Sequence, residues 1–319
     1  MNNPNEPIVR TASVIPFEAD AARRYLPEGP SALTVPGWMS WVAIQHGVSV
    51  ERGSINLLDL NTNTNHSFEL PGRPGFAFAI ADDQSTSIPT RFVAGIERSL
   101  GIFDATTQTW ETFCDGVDED VENTIINDGI VHGDDILFGT KDLEFADQKA
   151  GLYLYRGHDR RLIRLRDDQI CSNGKMIRKT SEGRLKLIDI DSPTKKIVQY
   201  DLDIDEGCVG SAETLVDLTD ELGVPDGAVL TPDATGIIVS IFLTDVAPHG
   251  ETRWYDLATS QLRGVWQTPG SPRNTCPALI PFEDTWRIVI TTATEGMSSE
   301  DQQRCPNAGR LFIADTDFR

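Results

Sequence analysis

A side-chain oxygen placed directly before a glycine recurs along this chain, at Glu28-Gly29, Asp128-Gly129, Asn173-Gly174 and Asp226-Gly227. Each pair is followed within a few residues by an apolar, strand-like run, and Pro74-Gly75 and Thr275-Cys276 keep the same rhythm without the oxygen. The six positions lie roughly 50 residues apart, which is the spacing of a radial β-repeat. One Asn-Gly or Asp-Gly is ordinary turn chemistry. Four in phase call for another reason, because turns need no common period.

Within each unit the order is the same: oxygen-Gly, an apolar strand, a turn, a second strand, then a strand ending in an aromatic or aliphatic residue before Asp. Ser54–Leu60 leads through Asn61–Thr64 into Ser67–Leu70, and Gly101–Asp104 leads into Trp110–Phe113. Gly151–Arg156, Lys196–Asp201 and Thr252–Asp256 repeat the third strand. Four strands per unit and six units predict an all-β fold, a six-bladed β-propeller, as one domain over residues 1–319. Residues 8–17 read as a strand left over before the first unit. It is expected to complete the last blade beside Arg310–Ala314 and so remove an open edge. The connection from Glu18 to Pro30 includes Ala-Arg-Arg-Tyr, enough for a helical turn. If each oxygen-Gly pair opens the innermost strand of its blade, all six meet at one mouth of the central channel.

Composition narrows the partners. The chain is 39% apolar and 24% charged, with a net charge of −21, which disfavours nucleic-acid backbones and favours cations or neutral small molecules. No run approaches the roughly 18 apolar residues of a membrane span, and Met1–Pro7 lacks both the basic end and the apolar stretch of a secretory leader. Five cysteines without a C-x-x-C pair are read as free thiols in a reducing, cytoplasmic setting, with a Cys276–Cys305 contact as the alternative.

Leu26-Pro27-Glu28-Gly29-Pro30, Ile126-Asn127-Asp128-Gly129, Phe138-Gly139-Thr140, Cys171-Ser172-Asn173-Gly174, Asp191-Ser192-Pro193-Thr194 and Val224-Pro225-Asp226-Gly227 occur in one order and spacing. Together they resemble the regucalcin/gluconolactonase family, whose members are six-bladed propellers with a divalent metal at the channel mouth. The resemblance covers nearly the whole chain and is most specific over Ser172–Asp203. It implies that Glu28, Asn173 and Asp226 are metal ligands, that Asn127 faces the substrate or a metal-bound water, and that Asp128 is a nearby carboxylate. Two carboxylates and an amide are hard oxygen donors, suited to one divalent cation, calcium first and magnesium or manganese next. The resemblance also makes Glu144 the counterpart of a family acid that contacts substrate, with a solvated loop charge as the alternative. Ile125 stands where sugar-directed relatives carry an arginine, so the pocket is expected to suit less hydroxylated lactones.

Other chemistries find little support. There is no H-E-x-x-H, and Gly29-Pro30-Ser31-Ala32-Leu33 lacks the second glycine of a nucleophile elbow. The five histidines are scattered beside glycine or polar residues; His132 before Gly133-Asp134 reads as a turn residue. Tyr200-Asp201 and Tyr255-Asp256 read as packing between blades, and Trp38 and Trp41 as core, with a lid over the mouth as the alternative. The expected function is metal-dependent hydrolysis of a lactone or similar ester, with Asp226 or Asp128 taking a proton from the attacking water. The rival is a metal-stabilised propeller that binds a metabolite or a protein without turnover.

Overall fold

The computed structural model describes residues 6–17, 20–80, 88–282 and 285–319. Residues 1–5 of the polar start, and Glu18 and Ala19 of the connection, lie outside that set. Six sheets stand around a central channel as a six-bladed β-propeller. Blade 1 runs outward from Pro27–Ala32 through Trp38–Ala43 and Ser54–Asp59 to Thr64–Glu69. The inner strands of the other blades are Pro74–Ala79, Thr124–His132, Ser172–Lys179, Val224–Leu230 and Asn274–Phe282. Each inner strand packs on the next, and that of blade 6 returns to that of blade 1.

The connection makes a single turn, in which the Tyr25 N–H donates to the Ala22 carbonyl at 3.2 Å. Closure of the ring uses the N-terminus, but not as one strand. Ser13–Val14 pairs antiparallel with Phe312–Asp315 on the outside of blade 6, as expected from the sequence. Ile8–Thr11 instead lies parallel to Leu262–Pro269, the outermost of the other strands in blade 5. The two pieces part at Ala12, which is buried between Trp266 of blade 5 and Phe312 of blade 6. Neighbouring blades are twisted relative to one another, so a single straight strand cannot follow both edges.

The recurrent oxygen-Gly positions have a common structural meaning. Every inner strand is bulged there, with register shifts between Glu28 and Ser31, Pro74 and Phe76, Ile126 and Gly129, Asn173 and Met176, Pro225 and Ala228, and Asn274 and Pro277. A bulge frees residues from the ladder and re-aims their side chains. Glycine is required by crowding at the axis. Gly174 has φ +55°, and a Cβ on Gly227 would stand 2.5 Å from Cys276 Sγ of the next blade.

The aspartates that close the third strands cap the turns beyond them. Asp59 accepts the Asn61 N–H at 2.9 Å, Asp104 that of Thr106 at 2.8 Å, and Asp256 that of Thr259 at 2.9 Å. Tyr200 and Tyr255 are buried in packing, as is Trp41, while Trp38 is half-buried and stacked on His66. All five cysteines are free. Among the described residues, no helix is long and apolar enough to cross a membrane.

Candidate functional site

The bulges of blades 1, 3, 4 and 5 deliver Glu28, Asn127, Asn173 and Asp226 to one small cavity of about 80 Å³ at the channel mouth. Leu26, Ile44, Val224 and Phe242 give it an apolar rim, and Lys141, Phe145, Cys171, Ser192 and Glu295 complete the lining. The two amides are locked together. Asn127 Nδ2 donates to Asn173 Oδ1 at 2.7 Å and to the Ser172 carbonyl at 3.0 Å, while Asn173 Nδ2 donates to Ser192 Oγ at 2.9 Å. These bonds orient Asn173 Oδ1 and explain why Ser192 accompanies the site.

The electrostatics are those of crowded anions. Burial, then the charges of Asp226 and Asp128, push the Glu28 carboxyl well above its ordinary range. Asp226 is raised in the same way, first by burial and then by Asp128. Asp128 is raised by burial too, opposed by Lys175 and by the backbone N–H groups of Gly129, Lys175 and Gly174. Its Oδ1 accepts the Gly129 N–H at 2.7 Å, and it lies beside the cavity without lining it. The same carboxylates, after burial, keep the Cys276 thiol protonated. Among the described residues, Glu28, Asp128 and Asp226 form no ion pair. Lys141 in the same lining offsets only part of this crowding, and a dication fits the two hard carboxylates beside one amide oxygen. No three His, Cys, Asp or Glu side chains among the described residues form a metal cage, so the set reaches three donors only with Asn173.

The remaining expected residues lie elsewhere. Ile125 is buried in the inner strand of blade 3 and does not line the cavity, and Glu144 is exposed on the loop after the second strand of that blade. That loop carries Phe145 to the rim at φ +51°, a backbone region rarely adopted by aromatic residues. Asp142 holds it there, accepting N–H bonds from Glu144, Ala146 and Asp147 at 3.0 to 3.1 Å, with Lys149 Nζ 3.0 Å away. Burial of Asp142 raises its pKa, but these bonds outweigh that and hold it well below the carboxylate range. Asp142→Ala is expected to destabilise the fold by about 1–3 kcal/mol and to speed proteolytic cleavage within residues 143–149; unchanged melting and cleavage would contradict that anchoring role.

Lys141, Phe242 and Glu295 were not legible as site residues, because they sit outside the inner strands and carry no in-phase repeat. The only signal for Lys141 was its place beside Gly139-Thr140.

Residues 26–294 match the SMP-30/gluconolactonase/LRE-like region. YvrE of Bacillus subtilis, a candidate sugar lactone lactonase by name, is 28% identical over 176 residues, 55% of this chain and 56% of its own length. The chain thus spans little more than half of that relative. In structure, it is similar to a calcium-binding protein, regucalcin, from Agrobacterium tumefaciens, with a TM-score of 0.78 at 20% identity over 98% of both chains. A luciferin-regenerating enzyme superposes with a TM-score of 0.74 at 18% identity over 92% of both.

Proposed function

Because the chain belongs to the SMP-30/gluconolactonase/LRE-like family, we propose that it is a divalent-metal-dependent hydrolase that opens a lactone or a similarly activated ester. The observation that carries this reading is the convergence of Glu28, Asn173 and Asp226 on one cavity, where neither carboxylate makes an ion pair among the described residues. Those three residues would hold the ion, calcium first and magnesium or manganese next. When bound, it supplies Lewis acidity toward the ester carbonyl.

The chain's own residues do the rest. Asp226 faces the cavity and takes a proton from the attacking water as the new C–O bond forms. Breaking the ring C–O bond then returns a proton to the leaving oxygen, giving a hydroxy acid. Asp128 is not placed to touch substrate, but its charge raises the proton affinity of Asp226 and offsets the acidifying pull of a dication. Asn127, fixed against Asn173, is positioned to orient water or substrate. The apolar rim suits rings with few hydroxyls.

The test is acid release from a panel of lactones, followed with a pH indicator. Metal-dependent hydrolysis is expected, lost in chelator and restored by calcium or manganese, with weaker turnover of gluconolactone than of less hydroxylated rings. Absence of metal-dependent acid release from every lactone would leave the non-catalytic binding protein as the better reading.

A further inference from the structure

Among the described residues five lysines and arginines are buried: Arg73, Lys141, Arg156, Lys175 and Arg273. Four of them have clear partners. Arg73 pairs with Glu97, Arg156 with Asp159, and Lys175 with Asp189 and Ser172, while Arg273 donates to the carbonyls of Glu295 and Thr244. Lys141 is the exception. It is only 6% exposed, and its ammonium makes no hydrogen bond or ion pair with the described residues; it stands 5.7 Å from the centroid of the Phe145 ring, and its charge reaches Glu28, Asp226 and Cys171 only at longer range. A buried cation without a directly bonded partner is costly unless something else completes it.

Its position says where that partner would come from. Lys141 lines the same cavity as Glu28, Asn173 and Asp226. In the ladder of blade 3 it stands directly across from Ile125, and residues paired in this way project from the same face of the sheet. A cation is therefore present on the face where Ile125 provides none, carried by the neighbouring strand. Leu26, Ile44, Val224 and Phe242 are the apolar part of the lining, and Glu295 adds a third carboxylate that makes no ion pair with Lys141 among the described residues. With a dication held by Glu28 and Asp226, their charge is committed to the ion, and the ammonium is left for the ligand.

We propose that Lys141 is a specificity-determining residue that binds a carboxylate carried by the substrate, so that lactones with an anionic substituent are selected over neutral ones. A single ammonium in a small cavity matches one carboxylate better than a phosphate, which calls for several donors. This proposal rests on the hydrolase reading of the same cavity, and its test separates the two.

The probes are γ-butyrolactone, its ring-matched analogue 5-oxotetrahydrofuran-2-carboxylate, and tetrahydrofuran-2-carboxylate, which has no bond to hydrolyse. With calcium present, wild type is expected to favour the carboxylated lactone. Lys141→Met, close in volume, should lower that preference in kcat/KM about 10- to 100-fold, mostly through KM, and Lys141→Arg should recover part of it. Titration calorimetry should show tetrahydrofuran-2-carboxylate binding to wild type and losing affinity in Lys141→Met. If no lactone is hydrolysed but that binding is seen, the hydrolase reading fails and Lys141 keeps its role. A wild type that prefers the neutral lactone, or a Lys141→Met variant that loses both lactones equally, overturns the proposal. The wild-type preference decides the matter even if the variant does not fold.

Discussion

Asp226→Asn is expected to lower lactone turnover at least about a thousandfold while making the cation-free protein more stable than wild type. Both effects come from one charge. Burial and Asp128 raise the Asp226 carboxyl above its unfolded value, so the stability tied to this group is fully present below the ordinary carboxylate range. It is lost as pH rises from there toward the raised folded value. In chelator, wild type should therefore melt lower at pH 8 than at pH 5, and the neutral amide should remove part of that decline. Relieving one unpaired buried anion is worth about 1–3 kcal/mol, or roughly 2–8 °C in a protein of this size. Calcium should raise the melting temperature of wild type with the logarithm of its concentration above Kd and leave the variant nearly unmoved. A variant that melts below wild type in chelator, or that still responds to calcium, would show that Asp226 is not an uncompensated ligand.

Deleting residues 1–17 should cost more stability than any single substitution discussed above. The deletion strips the outer strands from blades 5 and 6 together. It also removes Ala12, Ile15 and Phe17, which are buried at the seams with neighbouring blades. Burial of Ile15 and Phe17 alone is worth about 1.5–3 kcal/mol each. Against a total stability of about 5–15 kcal/mol, the truncated chain is expected to melt at least about 10 °C lower and to associate through its two bared edges. Light scattering and calorimetry would detect both. A truncated protein that stays monomeric and melts with the full chain would mean that the ring closes without its N-terminus.

The blades were legible because their signal is periodic: the oxygen-Gly pairs keep phase, and the Asp that ends a third strand is the cap of the following turn. Glu28, Asn173 and Asp226 could be anticipated as neighbours for the same reason, since in-phase positions on inner strands must meet at the axis; in blade 3 the in-phase Asp128 lies beside the cavity, and Asn127, which lines it, was implied by the resemblance alone. The two-blade path of residues 8–14 could not be, because Ile8–Val14 alternates as one strand would and nothing local marks Ala12 as a crossing point. Lys141 was hidden by a different obstacle. Its relation to Ile125 depends on counting across a bulge, where one extra residue between Ile126 and Gly129 shifts every pairing beyond it. Glu144 shows the reverse: its neighbourhood was found, but the loop held by Asp142 turns Phe145, rather than Glu144, to the cavity.

Six bulges at equivalent heights divide the propeller's labour between ladder and axis. A residue in such a bulge stands outside the regular backbone ladder, so its side chain can be given work at the axis. The channel mouth is in effect a ring of six sockets, and the sequence fills them unevenly: acids or amides within the bulge in blades 3 and 5 and directly before it in blades 1 and 4, glycine in blade 2 and Thr275-Cys276 in blade 6. The blade 2 socket is closed to exchange, since a Cβ on Gly75 would meet the Asn127 carbonyl at 2.5 Å. The blade 6 socket is committed in another way: Thr275 Oγ1 donates to the Pro27 carbonyl of blade 1 at 2.6 Å and stands 2.8 Å from Thr291 Oγ1, so the position that could have taken a sixth donor ties the last blade to the first instead.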